Sequence, residues 1–266
     1  MASYHLEHKV VSRGKRHSFT ERMSYMRGEK LREPYSGRTF YHYRHDVLWT
    51  QVFLPRHAPP EYGNIQTLCN EIDRAEVRYD ARTAREFIGA LPNELSLTEL
   101  KRIVYEFVTQ SFIEKGLCAV AAIHEGRNAS QPEHNNPHVH ILVSTRALGP
   151  DGFSKTKDRE LDKKDSLLKW REQWAAVQNR AYKLCGLDIR VTHESLAIQG
   201  KDGKSVRLTP KKWREKQQLE RERGLDKDRA ARNRDVKVER DRELERGAER
   251  EFGHKIEKEM VMERKR

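Results

Sequence analysis

Asn136-Pro137-His138-Val139-His140-Ile141-Leu142-Val143 is the stretch that decides how this chain is read. Side chains alternate faces along a strand, so His138 and His140 share one side while Val139 and Ile141 turn to the other. An upstream apolar run, Cys118-Ala119-Val120-Ala121-Ala122-Ile123, also closes on a histidine, His124. If the two runs pair as neighbours, three imidazoles meet on one sheet face, a donor set suited to a divalent metal. The plain alternative is that these are polar surface groups, since the chain carries 12 histidines and is basic.

Working outward, residues 3–11 alternate Tyr4, Leu6, His8 and Val10 against polar neighbours, the pattern of a half-buried strand. Ser18-Phe19-Thr20-Glu21 has the form of a capping box opening a short helix, which contains Tyr25 and ends at Gly28. Residues 29–46 read as loop and carry the cluster Phe40-Tyr41-His42-Tyr43. A strand is expected over 47–54. A helix follows over 65–79, with Leu68, Ile72, Ala75 and Tyr79 at helical spacing. Residues 84–91 form the next strand, with Glu86, Ile88 and Ala90 on one face and Phe87 on the other. An amphipathic helix over 97–115 presents Leu100, Val104, Phe107, Val108 and Phe112 inward, and Gly116 ends it. A last helix is expected over 167–184, and a short last strand over 189–192. The irregular alternation, with the histidine strands in a hairpin-like connection, predicts an α+β fold: a central, mainly antiparallel sheet with flanking helices.

The 266 residues hold one domain of ordinary size plus an appendage, or two small domains. A net charge of +12 and a pI near 9.6 favour a polyanionic partner, nucleic acid before membrane. Polarity is uneven: apolar runs fill the first 200 or so residues, whereas 209–266 is mostly charge of both signs. That arm reads as a solvated helix, a coiled-coil-like segment or a disordered tail. Cys69, Cys118 and Cys185 show no C-x-x-C spacing and read as reduced thiols. No apolar stretch approaches the roughly 20 residues needed to span a bilayer. The N-terminus shows no signal-peptide core, so no membrane insertion and a cytoplasmic location are expected.

Three neutral imidazoles leave coordination positions open on a cation that could polarise a phosphodiester. The nucleophile would be water or a tyrosine, whose phosphodiester keeps the energy of the broken bond for later rejoining. At this point a family resemblance emerges. The chain resembles the MobA/MobL-type plasmid mobilisation relaxases, within the HUH single-strand endonucleases (histidine, hydrophobic residue, histidine). The resemblance is carried by Tyr4-His5-Leu6, Ser24-Tyr25-Met26-Arg27-Gly28-Glu29-Lys30-Leu31 and Val52-Phe53-Leu54-Pro55 with Ala58-Pro59. It continues through Ala84-Arg85-Glu86, Ala90-Leu91-Pro92-Asn93-Glu94-Leu95, Ile123-His124 and the H-x-H stretch. Trp170-Arg171, Trp174-Ala175, Asn179, Thr192-His193-Glu194-Ser195-Leu196 and Gln199-Gly200 complete it, in order.

The resemblance implies a relaxase domain over 1–208 with a palm-like, ferredoxin-type sheet, and a charged arm over 209–266. It implies Tyr25 as the transesterifying tyrosine, His124, His138 and His140 as ligands of a divalent cation, and Glu86 as an acid that orients a triad histidine or assists the nucleophile. Mg or Mn is the first choice of cation; Zn, Co and Ni suit imidazoles as well. The implied substrate is origin-of-transfer DNA, a hairpin with adjacent single strand, nicked to leave a 5′-phosphotyrosyl link and a 3′-hydroxyl. Accessory relaxosome proteins and a coupling protein are implied partners, and the chain would enter the recipient cell attached to DNA. Tyr41, Tyr43 and Arg44 form a basic aromatic cluster fit to stack on unpaired bases. Arg27 and Lys30 hold phosphates or are surface charge. His134 is a loop histidine or a substitute ligand. Cys69 stands where relatives often carry tryptophan. Two other readings stay open: a replication-initiator or transposase-type HUH nuclease, and a DNA-binding accessory protein with inert histidines.

Overall fold

The computed structural model describes residues 4–15, 17–126 and 135–194. His134, the residues after Glu194 in the resemblance and the arm over 209–266 lie outside them. Strand β1 (Leu6–Ser12) leads to helix α1 (Phe19–Arg27), a short hairpin of β2 (Leu31–Arg32) and β3 (Thr39–Phe40), then β4 (Val47–Phe53) and α2 (Ile65–Ala75). Next come β5 (Arg82–Ala90), α3 (Leu97–Ser111), β6 (Leu117–His124), β7 (His138–Gly149), the short β8 (Gly152–Phe153) and α4 (Lys164–Leu184). The main sheet runs β1-β5-β7-β6-β4, with β8 on β7. Every one of its pairings is antiparallel, as the sequence predicts.

Both faces of the sheet are covered. On one, Phe19, Met23 and Met26 of α1 and Leu68, Cys69 and Ile72 of α2 pack over Ala84, Val120, Ala122 and Leu142. On the other, Phe87 meets Phe112 at 5.0 Å and Trp170 at 4.9 Å between ring centroids, and Phe107 meets Trp174 at 4.9 Å. Helix α4 comes so close that a β-carbon on Gly89 would stand 2.6 Å from the Trp174 ring. With two covered faces, β6 has no exposed residue, and its sequence is a continuous apolar run rather than an alternation. The same two-sided burial alters the first strand: Leu6 and Val11, of opposite parity, are both buried, and Val10 is only half-buried.

Two expected elements differ. Helix α2 stops at Ala75, not near Tyr79; Glu76 is its C-cap, with backbone out of the helical region, and its carboxylate pairs with Arg146 at 2.7 Å and Lys157 at 2.8 Å. Tyr79 is left exposed. Residues 189–192 form no strand. The Asn179 side chain takes the place of a neighbouring strand, accepting from Val191 N and donating to Val191 O, each at 2.8 Å. Among the described residues no helix is long and apolar enough to cross a membrane.

Candidate active site

β6 and β7 pair with His124 opposite His138, and Ala122 opposite His140. Opposed residues point to the same face, so the register alone gathers the three rings. One donor nitrogen from each of His124, His138 and His140 lies within 4.8 Å of one from each of the others. Their ring centroids stand 4.8 to 5.4 Å apart.

Each imidazole also has one nitrogen engaged with an oxygen that can only accept. His124 Nε2 donates to the Met26 carbonyl at 2.8 Å, and His138 Nδ1 to the Asn136 carbonyl at 2.8 Å. His140 Nδ1 donates to Glu86 Oε1 at 3.0 Å. These bonds fix three tautomers and leave lone pairs on His124 Nδ1, His138 Nε2 and His140 Nε2. Of these, His124 Nδ1 is buried and has no hydrogen-bond partner among the described residues. Nitrogens about 2.1 Å from a common cation stand roughly 3.0 to 3.6 Å apart, so small side-chain shifts close the triad on an ion. The donor set fits a divalent cation.

Charge agrees with this. Burial pushes His124 down to about 4; the His140, Arg44 and His138 charges act the same way, and the Met26 bond opposes them. Burial likewise lowers His138, with the Asn136 bond opposing. Both rings are therefore neutral at pH 7, the state that binds metal. Burial pulls Glu86 upward, but its bonds from His140 and Arg22 outweigh that and hold the carboxyl below its usual range. An ionised Glu86 behind His140 raises the basicity of the ligand. Glu86 reaches this place because β5 lies beside β7, with Glu86 opposite Leu142 and Ile88 opposite His140.

Tyr25 arrives from α1. Ser18 caps that helix by accepting from Glu21 N at 3.1 Å, the first half of the expected capping box. Gly28 ends it in the left-handed conformation, with φ of 69°. The half-buried Tyr25 ring stands edge-on to His140 at 5.9 Å, to His124 at 6.4 Å and to His42 at 5.8 Å between centroids. Because His124 bonds the carbonyl of Met26, the next residue after Tyr25, the histidine face and the tyrosine helix are joined directly.

Residues 41–46 alternate in exposure. Tyr41, Tyr43 and His45 face outward, and His42, Arg44 and Asp46 turn in. Tyr41 and Tyr43 are 57% and 67% exposed with centroids 6.1 Å apart, open to stacking. The Arg44 guanidinium lies 4.5 Å from the Tyr25 ring centroid and is held by Asp46 through Nε at 2.8 Å and Nη2 at 2.6 Å. The bonds to Asp46 raise Arg44, against burial, and the Tyr25 hydroxyl adds to the effect. Arg44 in turn pulls Asp46 down to about 2, so the pair is ionised across the physiological range.

The structure thus brings together Tyr25, Glu86, His124, His138, His140 and Arg44, with Tyr41 and Tyr43 on the adjoining surface. It leaves Arg27 aside: 200° around the helix from Tyr25, it pairs with Glu29 at 2.6 Å. Lys30 is exposed. Sequence reasoning missed Arg22 and Asp46. Arg22 donates to the same Glu86 oxygen as His140, and its guanidinium lies 5.0 Å from the Tyr25 centroid. Its spacing of three residues before Tyr25, on one helix face, was the available signal.

The sequence model of the MobA/MobL family matches residues 17–221. A probable mobilization protein MobA from Bifidobacterium longum is 27% identical over 245 residues, covering 76% of this chain and 42% of that protein. Mobilization protein MobL from Acidithiobacillus ferridurans is 27% identical over 235 residues, covering 78% of this chain and 61% of that one. This chain therefore spans less than two thirds of either relative. Among solved structures, a chain from work on the molecular basis of vancomycin resistance transfer in Staphylococcus aureus superposes with a TM-score of 0.66. At 24% identity, over 73% of this chain and 100% of the other, that likeness establishes the fold. The matched span includes the helix of Tyr25, the strand of Glu86 and the paired strands of the three histidines, and on it the chain belongs to the MobA/MobL family.

Proposed function

We propose that this chain is a relaxase: it nicks one strand of origin-of-transfer DNA with Tyr25 as nucleophile and later rejoins it. The observation that carries the reading is a half-buried phenol edge-on to two of three imidazoles whose outer nitrogens are all tied to oxygen acceptors. His124, His138 and His140 hold one divalent cation, Mg or Mn first, with Zn, Co or Ni also suited to the donors. When bound, that cation supplies charge neutralisation at the scissile phosphate.

The chain's own groups do the rest. Glu86 holds His140 in the tautomer that offers Nε2 inward, and Met26 does the same for Nδ1 of His124. Tyr25 Oη attacks phosphorus, the bond from phosphorus to the 3′-oxygen breaks, and the phenol's proton ends on that oxygen. The product is a 5′-phosphotyrosyl link and a free 3′-hydroxyl, and the reverse reaction rejoins the strand. Tyr41 and Tyr43 offer stacking surfaces to unpaired bases beside the nick. The nuclease domain is assigned to 1–208 and the arm to 209–266. Origin-of-transfer hairpin and single strand, accessory relaxosome proteins and a coupling protein are the proposed partners, in the cytoplasm.

The test uses labelled single-stranded oligonucleotides tiling the DNA beside the encoding gene, incubated with the full chain and Mn²⁺ and run on denaturing gels. A covalent protein–DNA band that disappears in Tyr25→Phe supports the reading. A band that persists in Tyr25→Phe removes it.

A further inference from the structure

Among the described residues, the guanidinium nearest the Tyr25 ring belongs to Arg44, which the sequence points to only as a DNA contact. Arg44 is not posed like a surface phosphate binder. Its Nε and Nη2 form a fork on Asp46, at 2.8 and 2.6 Å, and the side chain is only 15% exposed. A β-carbon built on Gly28 would lie 3.4 Å from Arg44 Cβ, so the glycine that ends the tyrosine helix also leaves room for the arginine. Its guanidinium then stands 4.5 Å from the Tyr25 centroid. Asp46 is mounted in turn by the sheet: its carbonyl accepts from Glu125 N at 2.8 Å, next to His124.

A guanidinium has five N–H donors in a rigid fork. Asp46 takes two, which leaves three for other oxygens. Arg22, the other guanidinium near the ring, is committed to Glu86. Of the two guanidiniums Arg44 is the nearer to the Tyr25 ring, 4.5 Å against 5.0 Å from its centroid, and the Tyr25 hydroxyl is among its electrostatic partners.

Resting on the assignment of Tyr25 as nucleophile, we propose that Arg44 is a catalytic residue that stabilises negative charge on Tyr25 Oη, with Asp46 as its positioning residue. In the forward step the phenol loses its proton as the bond from Oη to phosphorus forms, and the proton ends on the departing 3′-oxygen. In the return step the phenolate is the leaving group and needs the same stabilisation. Arg44 thus serves both directions, whereas a contact made only to the DNA backbone would serve binding. A preorganised cation aimed at developing charge acts in the transition state more than in the ground state.

The test measures single-turnover adduct formation and rejoining at saturating oligonucleotide and Mn²⁺, with DNA affinity measured separately by fluorescence anisotropy. In the full chain, Arg44→Gln slows both directions by about 100-fold while the DNA Kd stays within about threefold of the parent. Arg44→Lys recovers roughly tenfold of that loss, and Asp46→Asn, which keeps the cation but loosens its mount, falls between. The proposal is overturned if Arg44→Gln reacts within about threefold of the parent at saturating DNA, or if its defect lies wholly in Kd. Asp46→Asn with parental rates in both directions also overturns the positioning role. An adduct surviving Tyr25→Phe is a different failure: it removes the nucleophile assignment, whatever the Arg44 variants do.

Discussion

His124 donates from Nε2 to the backbone carbonyl of Met26, 2.8 Å away and 98 residues earlier in the chain. One bond thereby fixes which nitrogen of His124 faces the other two imidazoles and anchors the helix turn that holds Tyr25. The proposed metal triad and the proposed nucleophile are thus tied to each other. Loss of either strand register or helix α1 would be felt by both.

Glu86 tests the idea that the carboxylate behind a ligand matters. Glu86→Gln keeps the shape but removes the charge that supports His140, and metal affinity should fall by roughly 10- to 100-fold. Isothermal titration with Mn²⁺ or Co²⁺ measures it. Unchanged affinity would mean that Glu86 serves only as the ion-pair partner of Arg22.

Gly89 has no room for a side chain, because α4 lies directly on it. Gly89→Ala should destabilise the domain by about 1–3 kcal/mol through overpacking. Urea unfolding reads this out. Stability at or above the parent's would show that Trp174 sits less tightly on the sheet than described.

Stability should also fall in mild acid, in part through His8. Arg85 Nη1 donates to His8 Nε2 at 2.9 Å, which requires that nitrogen to be unprotonated. Burial, then the Arg85 and Arg171 charges, lower His8 from 6.5 to about 4. Because the folded value is the lower one, the stabilisation is complete above the unfolded value and is lost as pH falls from about 6.5 towards 4. His8→Gln keeps the acceptor without titrating, so its unfolding free energy should drop less than the parent's between pH 7.5 and 4.5. Parallel pH profiles would contradict this assignment.

Tyr41 and Tyr43 should act on DNA without touching the metal. The double variant Tyr41→Ala/Tyr43→Ala should weaken single-strand binding by roughly 1–3 kcal/mol for each base that loses its stacking partner. Fluorescence anisotropy measures this, and Mn²⁺ affinity serves as the control. Full DNA affinity would move the base-contacting surface elsewhere.

The strand alternation of His138 and His140 could be read directly, because it depends only on period two, and the apolar run ending at His124 marked its neighbour. Glu86 was different. Its approach to His140 depends on β5 lying between β1 and β7, a pairing of strands far apart in sequence that local pattern does not encode. The same holds for Arg22 and Asp46, whose roles come from partners on other elements. Arg27 shows the converse: next to Tyr25 in sequence context, it points away from it because of helix geometry. Residues 189–192 read as a short strand, but nothing in the sequence announces that an Asn179 side chain takes up the backbone bonds of Val191.

The most direct measurement is the location of the covalent link. After nuclease and trypsin digestion of the protein–DNA adduct, mass spectrometry should find the remaining nucleotides on the peptide Met23–Arg27, attached at Tyr25. Nucleotides found instead on Tyr41 or Tyr43, with Met23–Arg27 unmodified, would contradict the account.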